Sequence, residues 1–475
     1  MKKYLEFRFF LGVISFLFLA GSLSAQSTFY KKYQHEVKQW GNCVIETSDG
    51  GYAVVGVTTS TDYVYQADVW LLKTDSSGDT LWTKTFGASD QDEGFCLIET
   101  SDHGFIIAAT KAIPQHYNDG WVFKTDANGN MEWEHLFGTG LNGESASSIV
   151  PAGENTFLIS GNLESKSYVF KIDIEGNILW EQSYFPNQNS STTSICRLNN
   201  NTFAVVGSFQ MYSGGGWYPN LFTIDSTGNL GYQLTYSLLG EGGFNFIINT
   251  IDGGMIFGGA ENGENVVYKN SLTGVEEWSY RYYQEEWNQG VRSAVQTSDN
   301  NIVITDNTFY ASMRKLNITS GDTLWTRTSS FNDEYPIYTN LTTTSDNGII
   351  ITGYNGDNDL VLVKTMENGS VSGVENHNSI QKSITLNQNF PNPFNERTEL
   401  SFHLSKYESV ELYITDMNSK RIRTIIKKSL APGEYKFIWE GDSVNGMDCP
   451  SGIYYAVLRT NNGITKTRKM IKILK

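Results

Sequence analysis

Cysteine is scarce in this chain: four in 475 residues, with no CxxC pair and no Cys/His cluster. No metal-site signature remains, and neither a metal nor a cofactor is expected. Histidine is also rare, and His35, His103, His116 and His135 lie apart with no nucleophile motif near them. Charged residues are only 18% of the total, which argues against long amphipathic helices. Lys and Arg number 35 against 51 Asp and Glu, and the basic residues gather towards the two ends. The acidic middle excludes nucleic acid, whose phosphates need clustered cations. Long apolar runs are missing too, apart from FFLGVISFLFLA at Phe9–Ala20. That run is short of the ~20 residues a membrane span needs, so no transmembrane segment is expected in the mature chain.

Glycine and aromatic residues are plentiful, 45 residues and 13% respectively. They are arranged in a repeat. ETSDGGYAVVGVTTSTDYVYQADVWLLKTDSSGDTLWTKTFG, from Glu46 to Gly87, returns as ETSDHGFIIAATKAIPQHYNDGWVFKTDANGNMEWEHLFG from Glu99 to Gly138. Further copies continue to about Val374, with a period of roughly 46–52 residues. Each holds four strand-like runs, in the first copy Asn42–Thr47, Tyr52–Val57, Val69–Thr74 and Thr80–Phe86. Ser-Asp-Gly-Gly between the first two is a tight-turn signal. Between the last two stands Asp75-Ser-Ser-Gly78, echoed at Asp126–Gly129, Asp173–Gly176 and Asp225–Gly228. There the Asp side chain can bond its own following backbone while Gly accepts a positive φ.

Four residues past that Gly comes a recurring ring: Trp82, Trp133, Trp180, Tyr232, Trp278 and Trp325. A large ring at one place per unit fills the gap between wedge-shaped sheets. The seventh copy lacks it. The mature N-terminus, FYKKY at Phe29–Tyr33, resembles the outer strand WTKTFG and is expected to complete the last unit. The fold class is therefore all-β: a seven-bladed β-propeller over residues 26–371, closed by its N-terminal strand. Cys43, Cys96 and Cys196 are placed at one position of successive repeats, too far apart for a simple disulfide, and read as small buried apolar residues.

Residues 1–25 carry Lys2, Lys3 and Arg8, an apolar core and small residues before Gln26, the pattern of a secretory signal peptide. A polar linker spans 372–382. From 383 to 475 the strand-like runs Glu399–Leu404, Val410–Asp416, Gly433–Glu440 and Gly452–Thr460 suit a small immunoglobulin-like β-sandwich. Its motifs run LNQNFPNPFN, TELSFHLS, VELYITDMNSKRIRTI, LAPGEYKFIWEGDSVNGMDCPSGIYY and KTRKMIKILK. In this order they resemble the type A C-terminal sorting domain of the type IX secretion system of Bacteroidetes. The resemblance implies export through the periplasm to the cell surface or extracellular space, with the export machinery as partner. It also implies removal of the domain on export. The landmarks are Pro391, Asn392, Pro393, Phe394, Gly452, Tyr454, Lys469 and Met470.

The repeat resembles those of secreted bacterial propellers, of pyrroloquinoline-quinone-dependent dehydrogenases and, more distantly, the Asp-box of sialidases. Neither enzyme's site residues accompany it: there is no adjacent cysteine pair, and Arg197, Arg281, Arg292, Arg314 and Arg327 share no repeat position. No catalytic residue is assigned. Binding is expected at one channel mouth, on loops carrying Tyr117, Trp217, Tyr218, Trp287 and Tyr335, with a glycan or protein as ligand. A polysaccharide-acting hydrolase or lyase and a structural surface component are the alternatives. Asp-Thr-Leu at Asp79 and Asp322 resembles the O-glycosylation site of Bacteroidetes exported proteins, or simply begins a strand.

Overall fold

The structure is a computed structural model. It describes residues 27–33, 38–59, 67–87, 91–114, 116–139, 142–210, 215–236, 241–283, 290–306, 312–328, 336–371, 385–404, 407–417, 419–431, 433–460 and 465–473. The leader 1–25 and the linker 372–382 fall outside them.

Blade 1 is an antiparallel sheet of Gln39–Glu46, Tyr52–Thr59, Ala67–Thr74 and Thr80–Phe86, in chain order from the central channel outwards. Burial follows that order. The second and third strands are buried on both faces and read as continuous apolar runs, YAVVGV and VWLL, while the outer strand is half exposed. Five more four-stranded sheets stand alone, and blade 5 forms one half of an eight-stranded sheet. Blade 7 contains Ile337–Thr343, Ile349–Tyr354 and Leu360–Thr365, and its fourth strand is Phe29–Tyr33 from the other end of the chain. That strand pairs antiparallel with Leu360–Thr365, so the ring is closed by joining the two ends of the repeat.

The blade rings meet glycines. Gly129, Gly176, Gly228, Gly274, Gly321 and Gly369 each have positive φ and lie on the ring of the preceding blade, from Trp82 through Trp133, Trp180, Tyr232 and Trp278 to Trp325. A Cβ at Gly176 would sit 2.9 Å from Trp133, so both the turn and the ring demand glycine here. Several rings also donate to the turn they cover: Trp133 to Ile174 O at 3.0 Å, Trp180 to Ser226 O at 3.1 Å and Trp278 to Ile318 O at 2.7 Å. At the seventh interface Phe29 lies against Gly78, and Tyr33 Oη donates to Gly78 O at 2.6 Å.

A second repeated device lies inside the blades. The Asp of the first turn receives the ammonium of a buried third-strand lysine: Lys73–Asp49, Lys124–Asp102, Lys269–Asp252, Lys315–Asp299 and Lys364–Asp346, at 2.6 to 3.0 Å. Asp49 also accepts from Thr47 Oγ1 and Gly51 N. Desolvation raises these carboxyls, yet the lysine, threonine and backbone donors prevail and hold Asp49 and Asp102 at about 2. In blade 4 the turn is Asn-Asn-Asn and the lysine is replaced by Thr223, so both partners are lost together.

The cysteine expectation needs one correction. Register puts Ser194, not Cys196, at the Cys43 position: Cys43 faces Val55 as Ser194 faces Val206, while Cys196 faces Ala204 as Ile45 faces Ala53. Cys43, Cys96 and Cys196 are free, with no disulfide among them. Inner strands converge on the axis, and interaction between the Cys43 and Cys96 thiols pushes the first up and holds the second down.

The C-terminal domain packs a three-stranded sheet, Thr385–Leu386, Thr398–Leu404 and Gly433–Trp439, on a four-stranded one. The latter runs Thr465–Lys472, Gly452–Thr460, Glu408–Asp416, Arg421–Leu430. Leu400, Phe402, Leu412, Ile414, Trp439 and Leu458 fill the space between them.

Two outcomes test this account. Phe29→Ala should lower stability by about 2 kcal/mol, below the cost for a fully buried Phe because Phe29 is half exposed; an unchanged melting temperature would place closure on backbone pairing alone. The depressed Asp carboxyls contribute stability above the unfolded value near 4 that is lost as pH falls through about 2. Thermal melts of Lys73→Met/Asp49→Asn should therefore show a shallower loss between pH 4 and 2 than the parent.

Candidate binding site at the channel mouth

Every inner strand carries a one-residue bulge at the same place. Register shifts fall between Gly41 and Cys43, Gly94 and Cys96, Ala146 and Ser148, Thr192 and Ser194, Phe244 and Phe246, Val291 and Ser293, and Tyr338 and Asn340. A bulge re-aims the extra residue away from the ladder. All seven, Asn42, Phe95, Ser147, Thr193, Asn245, Arg292 and Thr339, line one cavity in the channel. Trp40, Glu93 and Tyr354 complete its wall, and its volume is about 460 Å³.

Part of this ring is structural. Asn42 Nδ2 donates to Gly94 O at 2.9 Å, Thr193 Oγ1 to Phe244 O, Asn245 Nδ2 to Val291 O at 3.0 Å, and Thr339 Oγ1 to Gly41 O. Each acceptor is the carbonyl just before the next blade's bulge, so these side chains staple blade to blade. The residue after the bulge does the same from its acceptor side. Ser148 Oγ accepts from Ile195 N, Ser194 Oγ from Ile247 N, and Asn340 Oδ1 from Val44 N.

The rest of the wall is chemically individual. Arg292 is half-buried, and desolvation lowers its pKa while Tyr354 opposes the shift. Glu93 stands at the rim, where burial lifts its carboxyl above the ordinary value against hydrogen bonds from Asn42 and Trp40. Asn42 Nδ2 reaches its Oε1 at 3.0 Å. The cavity thus offers one guanidinium, one carboxyl, amides and hydroxyls beside the rings of Trp40, Phe95 and Tyr354. No group of three His, Cys, Asp or Glu among the described residues could hold a metal ion.

The aromatic residues expected at a channel mouth lie outside the lining of this cavity or outside the described residues. Tyr117 lies between the second and third strands of blade 2 and is 63% exposed. Trp217 and Tyr218 begin the third strand of blade 4, where Tyr218 packs near Phe209 with ring centroids 6.1 Å apart. None of the three lines the cavity as described. Trp287 and Tyr335 lie outside the described residues. Sequence reading passed over the bulge positions because a bulge residue has no repeated chemistry. Its only signal is position, three residues before the Ile-Glu-Thr or equivalent that ends the strand. The Asp-Thr-Leu threonines, Thr80 and Thr323, begin the outer strands of blades 1 and 6, and Thr323 is buried.

The C-terminal landmarks converge on one seam. Asn392 Oδ1 accepts from Ile471 N at 2.8 Å and its Nδ2 donates to Lys469 O at 3.3 Å, so one side chain imitates a strand neighbour. Phe394 continues the seam through its N to Ile471 O at 2.9 Å, and Ile473 N donates to Phe394 O at 2.8 Å. Pro391 and Pro393 flank Asn392 in cis. The Phe394 ring is buried against Trp439, which Tyr454 meets edge-on at 5.3 Å. Tyr454 pairs across strands with the fully buried Met470, and its Oη donates to Pro450 O. Gly452 and Lys469 belong to the same strand pair, which Gly452 opens opposite Lys472.

Residues 388–473 match the family model of the secretion system C-terminal sorting domain. No curated protein matches the chain. Among solved structures it is similar to the WD40 β-propeller domain of Doa1, at TM-score 0.48 and 13% identity over 72% of this chain and 96% of that one. It is also similar to the Dos1 propeller, at TM-score 0.46 and 12% identity over 71% and 95%. A protein of unknown function from Bacteroides caccae aligns at TM-score 0.39 and 14% identity over 54% and 89%. With seven four-stranded blades ahead of that C-terminal domain, the chain is an exported β-propeller protein, sorted by the type IX secretion system to the cell surface or extracellular space.

Proposed function

We propose that the propeller is a non-catalytic binding module whose channel mouth takes an acidic saccharide. The observation that carries this reading is the contrast between the seven blades and their seven bulge positions. Core residues, turns and rings repeat from blade to blade, whereas the bulge positions carry five residue types, with Asn and Thr twice each and a single Phe, Ser and Arg. A guanidinium in a half-buried wall favours a carboxylate, which it can grip through two parallel donors. Trp40, Phe95 and Tyr354 suit the apolar faces of a sugar ring, and amides and hydroxyls suit its hydroxyls. A volume of about 460 Å³ accommodates a terminal sugar or two.

Glu93 is the one carboxyl of the wall as described, whereas glycoside hydrolysis ordinarily uses a pair. Its raised pKa keeps a second reading in view, a lyase in which Arg292 neutralises the substrate carboxylate and Glu93 transfers a proton.

A glycan array containing uronic-acid and neutral polysaccharides, run beside a degradation assay, separates the readings. The parent should retain acidic glycans without turnover. Arg292→Gln should weaken binding about tenfold or more, and Trp40→Ala by a similar factor. Degradation of an acidic polysaccharide, abolished by Glu93→Gln, would replace the binding reading with the lyase. Silence in both assays would overturn both.

A further inference from the structure

The outer strand of blade 5, Glu276–Tyr283, differs from its counterparts. In blades 1 to 4 the outer strands alternate exposed and half-exposed residues, with only Phe137 and Tyr184 buried at the ends of blades 2 and 3, while blade 5 buries Trp278 and Tyr280 as well as its terminal Tyr282. Two places after the blade ring, where Lys84, His135, Gln182 and Leu234 stand in blades 1 to 4, blade 5 has Tyr280. Its edge is also occupied. Tyr280 and Arg281 pair antiparallel with Lys466 and Thr465 of the last C-terminal strand, which joins blade 5 and the sorting domain in one eight-stranded sheet.

Two backbone pairs are a short junction, and side chains extend it. Arg468 crosses to the turn of blade 6, with Nη2 to Asp322 Oδ2 at 2.9 Å and Nη1 to Ser320 O at 2.7 Å. Lys466, 2% exposed, lies 3.8 Å from Asp322 Oδ1 and 4.3 Å from the centre of the Tyr280 ring. The junction carries complementary charge: Asp322 and Glu276 on the acidic propeller, and Lys466, Arg468 and Lys469 on the basic strand. Burial raises the Glu276 carboxyl, opposed by Ser279 and Arg281 and, least, by Lys469.

We infer that the outer edge of blade 5 is a receptor for an extended basic strand, and that the sorting domain's last strand occupies it in cis. Strand addition to a sheet edge satisfies backbone groups on both sides, and side-chain contacts supply selectivity. Here it covers two liabilities at once. Without the junction, blade 5 and the last strand of the sorting domain would each present an open edge prepared to pair with another chain. The address and its cargo are thereby one docked body and not two beads on a linker.

Hydrogen exchange by mass spectrometry on the full-length chain tests this. In the parent, amides of Tyr280–Tyr282 and Thr465–Thr467 should be protected. Arg468→Ala and Asp322→Ala should each speed exchange at both segments about tenfold or more, while Gly452–Thr460 and blades 1 to 4 stay protected. The charge-swapped Asp322→Arg/Arg468→Asp pair should recover protection, which a merely misfolded single variant would not explain. Free exchange of Tyr280–Tyr282 in the parent, or protection unaffected by either single variant, would overturn the receptor. Protection that rises with protein concentration would assign the strand to a second copy and overturn the cis arrangement.

Discussion

The contact between a blade's ring and the next blade's glycine is the constraint on which the molecule depends. A four-stranded blade buries its second and third strands only if neighbours cover both faces, so no blade is stable by itself. The covering sheet must approach at a fixed wedge angle, and the ring sets that angle by filling the outer part of the gap. It can lie there only because the facing turn has no Cβ, and that turn needs a positive φ in any case. One residue type thus satisfies a backbone requirement and a packing requirement together. The seventh contact uses Phe29 and Tyr33 from the N-terminal strand, so the ring cannot close until the chain's two ends meet.

Closure on these terms leaves the inner end of each strand with a different task. The bulge turns one residue per blade into the channel, where blade packing places little demand on its identity. Four of those residues still contribute to closure by donating to the neighbouring blade. Arg292 and Phe95 bring other chemistry. The result is a wall that is rigid because it belongs to the inner strands, and individual because the repeat does not fix it. A rigid scaffold presenting variable groups at one mouth is how many binding sites are organised.

The sorting domain solves a related problem at smaller scale. Its core of about a dozen apolar residues is modest. The Pro-Asn-Pro-Phe segment adds a pseudo-strand to the last strand through the Asn392 amide, and Phe394 delivers a ring against Trp439. Residues that serve as recognition landmarks in the sequence are therefore also those that hold the sandwich shut. The last strand has Gly452–Thr460 along one edge, and along the other the Pro-Asn-Pro-Phe segment near its end and blade 5 at its start.

The repeat, its turns and its rings determined the propeller, because strand period, Asp-to-Gly turn chemistry and ring spacing are local signals that recur. The C-terminal motif order likewise determined the route of export. What tertiary structure decided is everything that depends on register and on distant partners. The lysine of the third strand finds the aspartate of the first turn 16 to 24 residues earlier, a contact that only the folded blade makes. Register places Cys196 two residues past the Cys43 position. The one-residue bulges shifted the candidate site from exposed loop aromatics to Arg292, Glu93 and Trp40. Those residues are ordinary members of separate strands in the sequence, and only the ring's convergence on its axis makes them neighbours.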